Sequence, residues 1–211
     1  MIKNLYIQQL ELGSMANFSY LVGDKSSGEA AVVDPNDDTP AIEAAAAKAG
    51  LKVISILLTH GHFDHTGGLK YYSNRLKLPA YLSDNESMLY VPSCKTLQRF
   101  TDHATISVGN LKIECLHTPG HTPGCTCYLL EGNLFTGDTL FVEAIGRTDL
   151  PGGSAPALFQ SLQKIKQLPG DTMVWPGHNY GDTTCGRLQI LKTENPYLAC
   201  ATEKDFLDLT G

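Results

Sequence analysis

Five of the seven histidines lie in three short segments that are rich in glycine, proline, threonine and aspartate. These segments are residues 59–65, 118–124 and 175–178, and the segment 135–139 adds one more acid. Their imidazole and carboxylate side chains belong to His60, His62, Asp64, His65, His121, Asp138 and His178. Brought together in a folded protein, such groups are costly unless a cation neutralises the acids and occupies the ring nitrogens. Imidazole and carboxylate without a thiolate suit zinc, iron or manganese, so the pattern predicts a metal site.

Predicted strands lead into these polar segments. Residues 53–59 form a continuous β-branched and aliphatic run, which is the pattern of a strand buried on both faces, and they run directly into His60. Residues 134–135 and 173–175 are short apolar runs that precede Asp138 and His178. We therefore expect the ends of strands to position the metal site.

The rest of the pattern predicts a mixed α/β chain. Apolar runs between turn residues predict strands at 5–10, 18–22, 30–34, 105–108, 111–116 and 127–130, the first three in an antiparallel sheet. An alanine-rich stretch predicts a helix over 41–49, with Thr39 as N-cap, Pro40 at its first position and Gly50 at its end. A second helix is expected over 154–168. Because no linker separates the two similar halves, we expect one domain over 1–211.

Composition and charge exclude several function classes. With 16 basic and 22 acidic residues the net charge is −6, which disfavours a nucleic-acid partner. No apolar run approaches the roughly 20 residues of a membrane helix, and polar residues interrupt 1–22, so neither membrane association nor a signal peptide is expected. The six cysteines lack the paired spacing of zinc ribbons and thioredoxin sites, and Cys125 and Cys127 are interpreted as small buried residues. Reduced thiols indicate a cytoplasmic protein.

The order of these motifs resembles that of a known family. His-x-His-x-Asp-His at residues 60–65, followed by isolated His, Asp and His, is similar to the signature of the metallo-β-lactamase-fold superfamily, and the resemblance covers essentially the whole chain. Within it, the motifs at 118–124, 137–141, 146–149 and 195–198 look like those of glyoxalase II-like (hydroxyacylglutathione hydrolase-like) hydrolases. The resemblance implies a four-layer αββα sandwich with metals in a groove at the edge of its two sheets.

The same resemblance implies a centre with two divalent metal ions, expected to be zinc, with iron or manganese as alternatives. Carried over position by position, the first metal is held by His60, His62 and His121, the second by Asp64, His65 and His178, and Asp138 bridges both. Such a pair of ions can lower the pKa of a shared water toward about 7. The implied reaction is attack of the resulting hydroxide on a small acyl-thiol such as S-lactoylglutathione, with Asp64 orienting the nucleophile and accepting its proton.

The sequence departs from the long glyoxalase II enzymes in two places. Their C-terminal helical glutathione-binding domain is expected to be absent, because the chain ends at Gly211 soon after 195–198. Arg147 and Asp149 stand where those enzymes tend to have Lys and Tyr, so their glutathione contacts are not carried over.

Other activities on the same scaffold remain as alternatives. The Gly-Arg-Thr-Asp stretch at 146–149 also occurs in persulfide dioxygenases, which hold a single iron, and these are the main alternative. An Asp at the bridging position 138 disfavours a β-lactamase, and the acidic charge disfavours a nuclease. A purely structural metal site is disfavoured because seven ligands for two cations leave open coordination positions.

Four further polar residues have roles that the sequence leaves open. His117 is expected to support the site rather than to bind metal. Asp34 either belongs to a turn at a strand end or hydrogen-bonds a ligand histidine. Arg147 either forms an ion pair with Asp149 that fixes its loop or contacts an anionic substrate. His103 is expected on the surface.

Overall fold

The computed structural model describes residues 4–211. Residues 1–3, part of the segment analysed for a signal peptide, lie outside the described residues. The strands and helices of the described part are β1 (Leu5–Leu12), β2 (Asn17–Asp24), β3 (Glu29–Val33), α1 (Thr39–Ala49), β4 (Lys52–Leu57), β5 (Ala80–Ser83), β6 (Leu97–Phe100), β7 (Thr105–Val108), β8 (Leu111–His117), β9 (Thr126–Leu130), β10 (Asn133–Gly137), α2 (Ala155–Lys166), β11 (Met173–Pro176), β12 (Gly186–Arg187), α3 (Leu188–Glu194), α4 (Pro196–Ala199) and α5 (Glu203–Thr210). A 3-10 turn at Phe63–His65 and a π-helical turn at Lys70–Arg75 follow β4.

The strands form two six-stranded sheets. In the first, with the order β1-β2-β3-β4-β5-β6, the strands β1 to β3 are antiparallel and β3 to β6 are parallel. In the second, with the order β12-β11-β10-β9-β8-β7, β10 and β11 are parallel and the other neighbours are antiparallel. The antiparallel arrangement predicted for the first three strands is confirmed.

Apolar side chains hold four layers together. Between the sheets, Tyr20 and Phe135 are buried with their ring centroids 5.1 Å apart in an edge-to-face contact. On the outer face of the first sheet, α1 buries Ile42. On the outer face of the second sheet, α2 and α5 bury Leu158 and Phe206. Full burial of each such side chain contributes about 1.5–3 kcal/mol to stability. The layers follow the order helix, sheet, sheet, helix, so the predicted αββα sandwich is confirmed.

The first helix begins earlier than the sequence predicts. Its N-cap is Asp38, whose Oδ1 accepts a hydrogen bond from the backbone N–H of Ala41 at 3.2 Å. Thr39 is the first helical residue and Pro40 follows it, so the predicted cap was wrong. Both residue types cap helices well, and the Asp38 carboxylate is the one that reaches the third N–H of the helix. Gly50 ends the helix as predicted, with a left-handed φ of +68°.

The other predicted elements have observed bounds within two residues of the prediction at each end. Six short elements were not anticipated from the sequence, namely β5, β6, β12, α3, α4 and α5, and neither were the 3-10 and π-helical turns after β4. The strand β6 has two exposed residues at its centre, so it lacks the apolar alternation that identifies a strand. Within residues 4–211, no helix has the length and apolar character needed to cross a bilayer.

Candidate metal centre

The segments that carry the seven candidate ligands meet at one edge of the sandwich. Strand β4 leads into His60, β10 into Asp138 and β11 into His178, while His121 lies in the loop between β8 and β9. Because β10 and β11 run parallel, the loops that follow them leave the second sheet at the same edge. Strand order therefore brings together residues that lie more than a hundred positions apart.

Three imidazole nitrogens form a first group of donors. His62 Nδ1 lies 3.1 Å from His60 Nε2 and 2.9 Å from His121 Nε2. In a tetrahedral zinc site with Zn–N bonds near 2.0–2.1 Å, two ligand nitrogens lie about 3.3 Å apart. The three nitrogens are therefore spaced as ligands of one small cation are.

A second group of donors contains two imidazoles and a carboxylate. His65 Nε2 lies 3.2 Å from His178 Nε2, and Asp64 Oδ2 lies 3.4 Å from each of these nitrogens. All three edges of this triangle match the spacing expected around one metal ion. In the 3-10 turn at Phe63–His65, adjacent side chains point about 120° apart rather than to opposite faces as in a strand, so Asp64 and His65 can both reach this place.

Asp138 lies between the two groups. Its Oδ1 is 3.3 Å from His65 Nε2, and its Oδ2 is 3.3 Å from His178 Nε2 and 3.5 Å from His121 Nε2. Within the described residues, buried Oδ1 has no hydrogen-bond partner. A buried carboxylate oxygen without a partner is costly, and a cation on each side of Asp138 would satisfy both of its oxygens.

Hydrogen bonds on the far side of the rings fix which nitrogen can bind a metal. The Nδ1 atoms of three rings contact oxygen acceptors: His65 contacts Asp34 Oδ2 at 3.0 Å, His121 the carbonyl of Arg147 at 2.7 Å, and His178 the carbonyl of Met15 at 2.8 Å. A neutral ring that donates through Nδ1 has its lone pair on Nε2. The Nε2 lone pairs of His65 and His178 therefore face each other and require a positive charge between them. The donor set fits metal ions.

Two imidazoles of the first group, those of His60 and His62, are neutral at pH 7. Burial lowers the pKa of His60 well below its usual range, and the nearby histidines act in the same direction. Burial and the neighbouring His121 lower the pKa of His62 to about 4. Neutral imidazole is the form that binds metals, so these rings need not lose a proton first.

The second group attracts positive charge. Burial raises the pKa of Asp64, but the nearby His65 ring and the hydrogen bond from Asn17 outweigh burial and lower the pKa to about 2. The pKa of Asp138 also lies well below its usual range because the surrounding histidines outweigh its burial. Burial would lower the pKa of His65, yet the carboxylates of Asp138, Asp34 and Asp64 raise it. These ionised acids favour a cation at this place, whether a proton or a metal ion.

Comparison with known proteins identifies the family. The profile of the metallo-beta-lactamase superfamily matches residues 12–178. The chain belongs to this superfamily. The crystal structure of ETHE1 from Myxococcus xanthus has a TM-score of 0.86 and 31% identity, covering 97% of this chain and 89% of that one. The superfamily resemblance is confirmed, and with its His and Asp clusters the protein is a metal-binding member of the superfamily.

Relatives of this superfamily member carry several activities. The probable polyketide biosynthesis zinc-dependent hydrolase PksB of Bacillus subtilis (strain 168) is 34% identical over 192 residues, which cover 90% of this chain and 85% of PksB. The human mitochondrial persulfide dioxygenase ETHE1 is 33% identical over 202 residues, covering 92% and 76%. The hydroxyacylglutathione hydrolase of Alkalilimnicola ehrlichii is 36% identical over 182 residues, covering 86% and 69%. Family membership alone therefore does not select one reaction.

The structure places the four residues whose roles were open. Asp34 hydrogen-bonds His65 and also accepts from Thr59 N and Oγ1 at 2.7 and 2.6 Å, so it orients that ring. His117 Nε2 contacts the carbonyl of Pro123 at 2.8 Å, and this contact stabilises the loop between β8 and β9 that carries His121. His103 is exposed.

Arg147 has two contacts. Its Nε and Nη2 donate to Asp149 at 2.6 and 2.7 Å, which gives the ion pair that the sequence offered as one alternative. Its carbonyl accepts from His121 Nδ1, so the same residue helps to set the tautomer of a candidate ligand. The loop that the ion pair fixes is therefore coupled to the metal centre through the backbone.

Two residues that sequence reasoning missed also hold the site. Buried Glu86 accepts hydrogen bonds from Gly61 N at 3.0 Å and Thr122 Oγ1 at 2.9 Å, and so joins the two loops that carry the first group. Asn17 Nδ2 donates to Asp64 Oδ2 at 2.9 Å. Neither residue lies in a motif or a periodic segment that could have drawn attention to it.

Proposed function

We propose that the protein is a binuclear metallohydrolase that cleaves the thioester bond of a small acyl-thiol. The observation that carries the proposal is the pair of complete donor groups, each spaced for one cation, with Asp138 between them. An oxygenase with one iron needs a single group. A hydrolase that activates water between two ions needs both groups and a bridging carboxylate.

The proposal assigns the ligands as the sequence resemblance implies. The first ion is held by His60, His62 and His121, the second by Asp64, His65 and His178, with Asp138 shared. Zinc suits this mixture of imidazole and carboxylate, and the name of the PksB relative supports it. Iron and manganese fit the same donors.

When bound, the two ions supply a water that is acidic enough to lose a proton near neutral pH. Asp64 lines the groove over the centre, and Asn17 fixes its Oδ2, so this carboxylate orients the water and accepts its proton. The oxygen of the water would form the new C–O bond as the C–S bond breaks, and the proton accepted by Asp64 would pass to the sulfur, so that the products are a carboxylic acid and a free thiol. His121 and His178, each fixed by a backbone carbonyl, keep the donor geometry unchanged during the reaction.

The test is release of free thiol from thioesters by protein loaded with two equivalents of zinc. S-lactoylglutathione and the acetyl thioester of N-acetylcysteamine serve as substrates. We expect turnover by the wild type and by the surface variant Asp171→Asn, and loss of turnover together with metal in Asp138→Asn. Absence of thiol release from every thioester by the fully metallated protein would refute the proposal.

A second candidate is persulfide oxidation at a single iron. Its support is the identity to human ETHE1, whose name states that activity, and the structural likeness to the Myxococcus xanthus protein. In that case two histidines of the first group and Asp138 would hold the iron, and dioxygen is the oxidant. Oxygen uptake with glutathione persulfide by iron-loaded protein, combined with no thioester cleavage, would favour this reaction.

A further inference from the structure

A groove of about 470 Å³ opens onto the metal centre and has mostly apolar walls. Apart from the candidate ligands, its larger apolar and aromatic side chains are Met15, Phe63, Phe141, Ile145, Leu150 and Tyr180. The ligand side chains form the floor, so a molecule that reaches the metals passes between these apolar residues. The walls of the groove therefore decide which substrates fit.

Phe63 is the most unusual of these wall residues. It lies between the candidate ligands His62 and Asp64, and its side chain is 77% exposed. Met15 and Tyr180 on the same groove are 42% and 46% exposed. Large apolar side chains grouped at the mouth of a site lose contact with water when an apolar ligand binds, and this favours binding.

The groove offers little to an anionic substrate. Arg147 is the only lysine or arginine among the groove's lining residues in the described part of the chain. Asp149 already engages two of its nitrogens, so the two side chains together add no net positive charge. Glutathione carries two carboxylates, and binding them away from water calls for basic partners. The walls do not provide such partners.

We propose that the groove selects an aliphatic acyl group carried on a thiol without carboxylates, in preference to a glutathione conjugate. This inference rests on the proposed thioester hydrolysis and names its substrate class. The acyl chain lies against Phe63, Ile145 and Leu150, with its carbonyl at the metal centre. The thiol portion leaves through the open mouth.

The first test compares zinc-loaded protein on acetyl, butanoyl and hexanoyl thioesters of N-acetylcysteamine and on the matching glutathione thioesters. We expect kcat/KM to rise about fourfold for each methylene group that the groove buries. At equal chain length, we expect the N-acetylcysteamine thioester to be cleaved faster than the glutathione thioester. A preference for glutathione with no effect of chain length would overturn the inference while leaving thioester hydrolysis intact.

The second test measures binding without turnover. Isothermal titration with N-acetyl-S-hexylcysteamine and with S-hexylglutathione, both non-hydrolysable thioethers, reports the affinity of the groove directly. Phe63→Ser should weaken binding of the hexyl thioether about tenfold, since most of the contact area of one aromatic ring is lost. Leu76→Ser, a matched change at a residue 43% exposed and outside the groove lining, should not alter it.

The two tests separate the possible failures. Tight binding of the hexyl thioether, with no thioester cleaved, would refute the hydrolase and leave the apolar selectivity of the groove standing. Equal binding by wild type and Phe63→Ser, or tighter binding of the glutathione compound, would overturn the selectivity whatever the reaction. Metal content of Phe63→Ser is measured alongside, because a loss of metal would show that the change reached the neighbouring ligands.

Discussion

Replacing Asp34 by asparagine should impair the second metal site without removing any ligand. Asp34 Oδ1 accepts from Thr59 N at 2.7 Å, and Oδ2 accepts from Thr59 Oγ1 and from His65 Nδ1. An amide must place a donor on one of these two sides. The backbone N–H of Thr59 can only donate, so the amide oxygen must face it. His65, in contrast, can move its proton from Nδ1 to Nε2 and accept from the amide NH2 group. The Asp34 φ of +48° is one that asparagine adopts readily, so the backbone need not shift.

The expected magnitude follows from this change of tautomer. A His65 ring with its proton on Nε2 presents no lone pair to the metal, so binding must first reverse the tautomer against the amide. Loss of such an outer hydrogen-bond partner costs about 10–100-fold in metal affinity. That factor corresponds to about 1.4–2.8 kcal/mol. The first group of donors, which does not contact Asp34 in this way, should retain its affinity within about threefold.

The assay is competition with a chromophoric zinc chelator, which yields the affinities of both sites. Asp37→Asn, an exposed neighbour, is the matched control and should behave as the wild type. Far-UV circular dichroism checks that the variant is folded. Two unchanged zinc affinities in folded Asp34→Asn would show that this hydrogen bond does not set the His65 tautomer, and the reasoning would be refuted.

Three more changes test how the site is held. Glu86 Oε2 accepts from both loops and Oε1 accepts from Ser87 N, so Glu86→Gln must turn its NH2 group toward one of these donors. Urea unfolding should show a loss of about 1–3 kcal/mol, and a loss below about 0.5 kcal/mol would contradict the role given to Glu86. Asn195→Ala removes three buried contacts to the carbonyls of residues 141, 142 and 144 and two to the start of α4. It should lower stability by about 2–4 kcal/mol, measured by the same unfolding, and an unchanged midpoint would be the opposing result. Gly177→Ala places a methyl group against the Asp138 carboxylate, so mass spectrometry should find fewer than two metal ions per chain, and full loading would contradict this packing.

The candidate ligands could be located from the sequence because their segments follow locally recognisable strands. The strand before His60 and the short strands before Asp138 and His178 are apolar, so each strand and the polar residues that follow it can be recognised within a few residues of sequence. The resemblance to the superfamily then supplied their order in space. The structure adds the distances, which show that the side chains meet at ligand spacing.

The residues that hold the ligands could not be predicted in this way. Glu86 lies in the loop between β5 and β6, about 25 and 36 positions from its two partners, and a single buried glutamate leaves no periodic pattern. The role of Asp34 depended on whether His65 lies above the end of β3, which only the packing decides. The Thr39 prediction failed for a related reason, because adjacent Asp38 and Thr39 are both good caps and the direction of the incoming chain selects one.

Titration of metal-free protein with zinc, with thioester cleavage followed at each step, tests the central claim most directly. If two ions and Asp138 act together, activity stays low up to one equivalent and rises to its maximum between one and two equivalents. Full activity at one equivalent, with no further rise at two, would contradict the binuclear account. Maximal oxygen uptake with a persulfide at one equivalent of iron, without thioester cleavage at any zinc loading, would contradict the hydrolase itself.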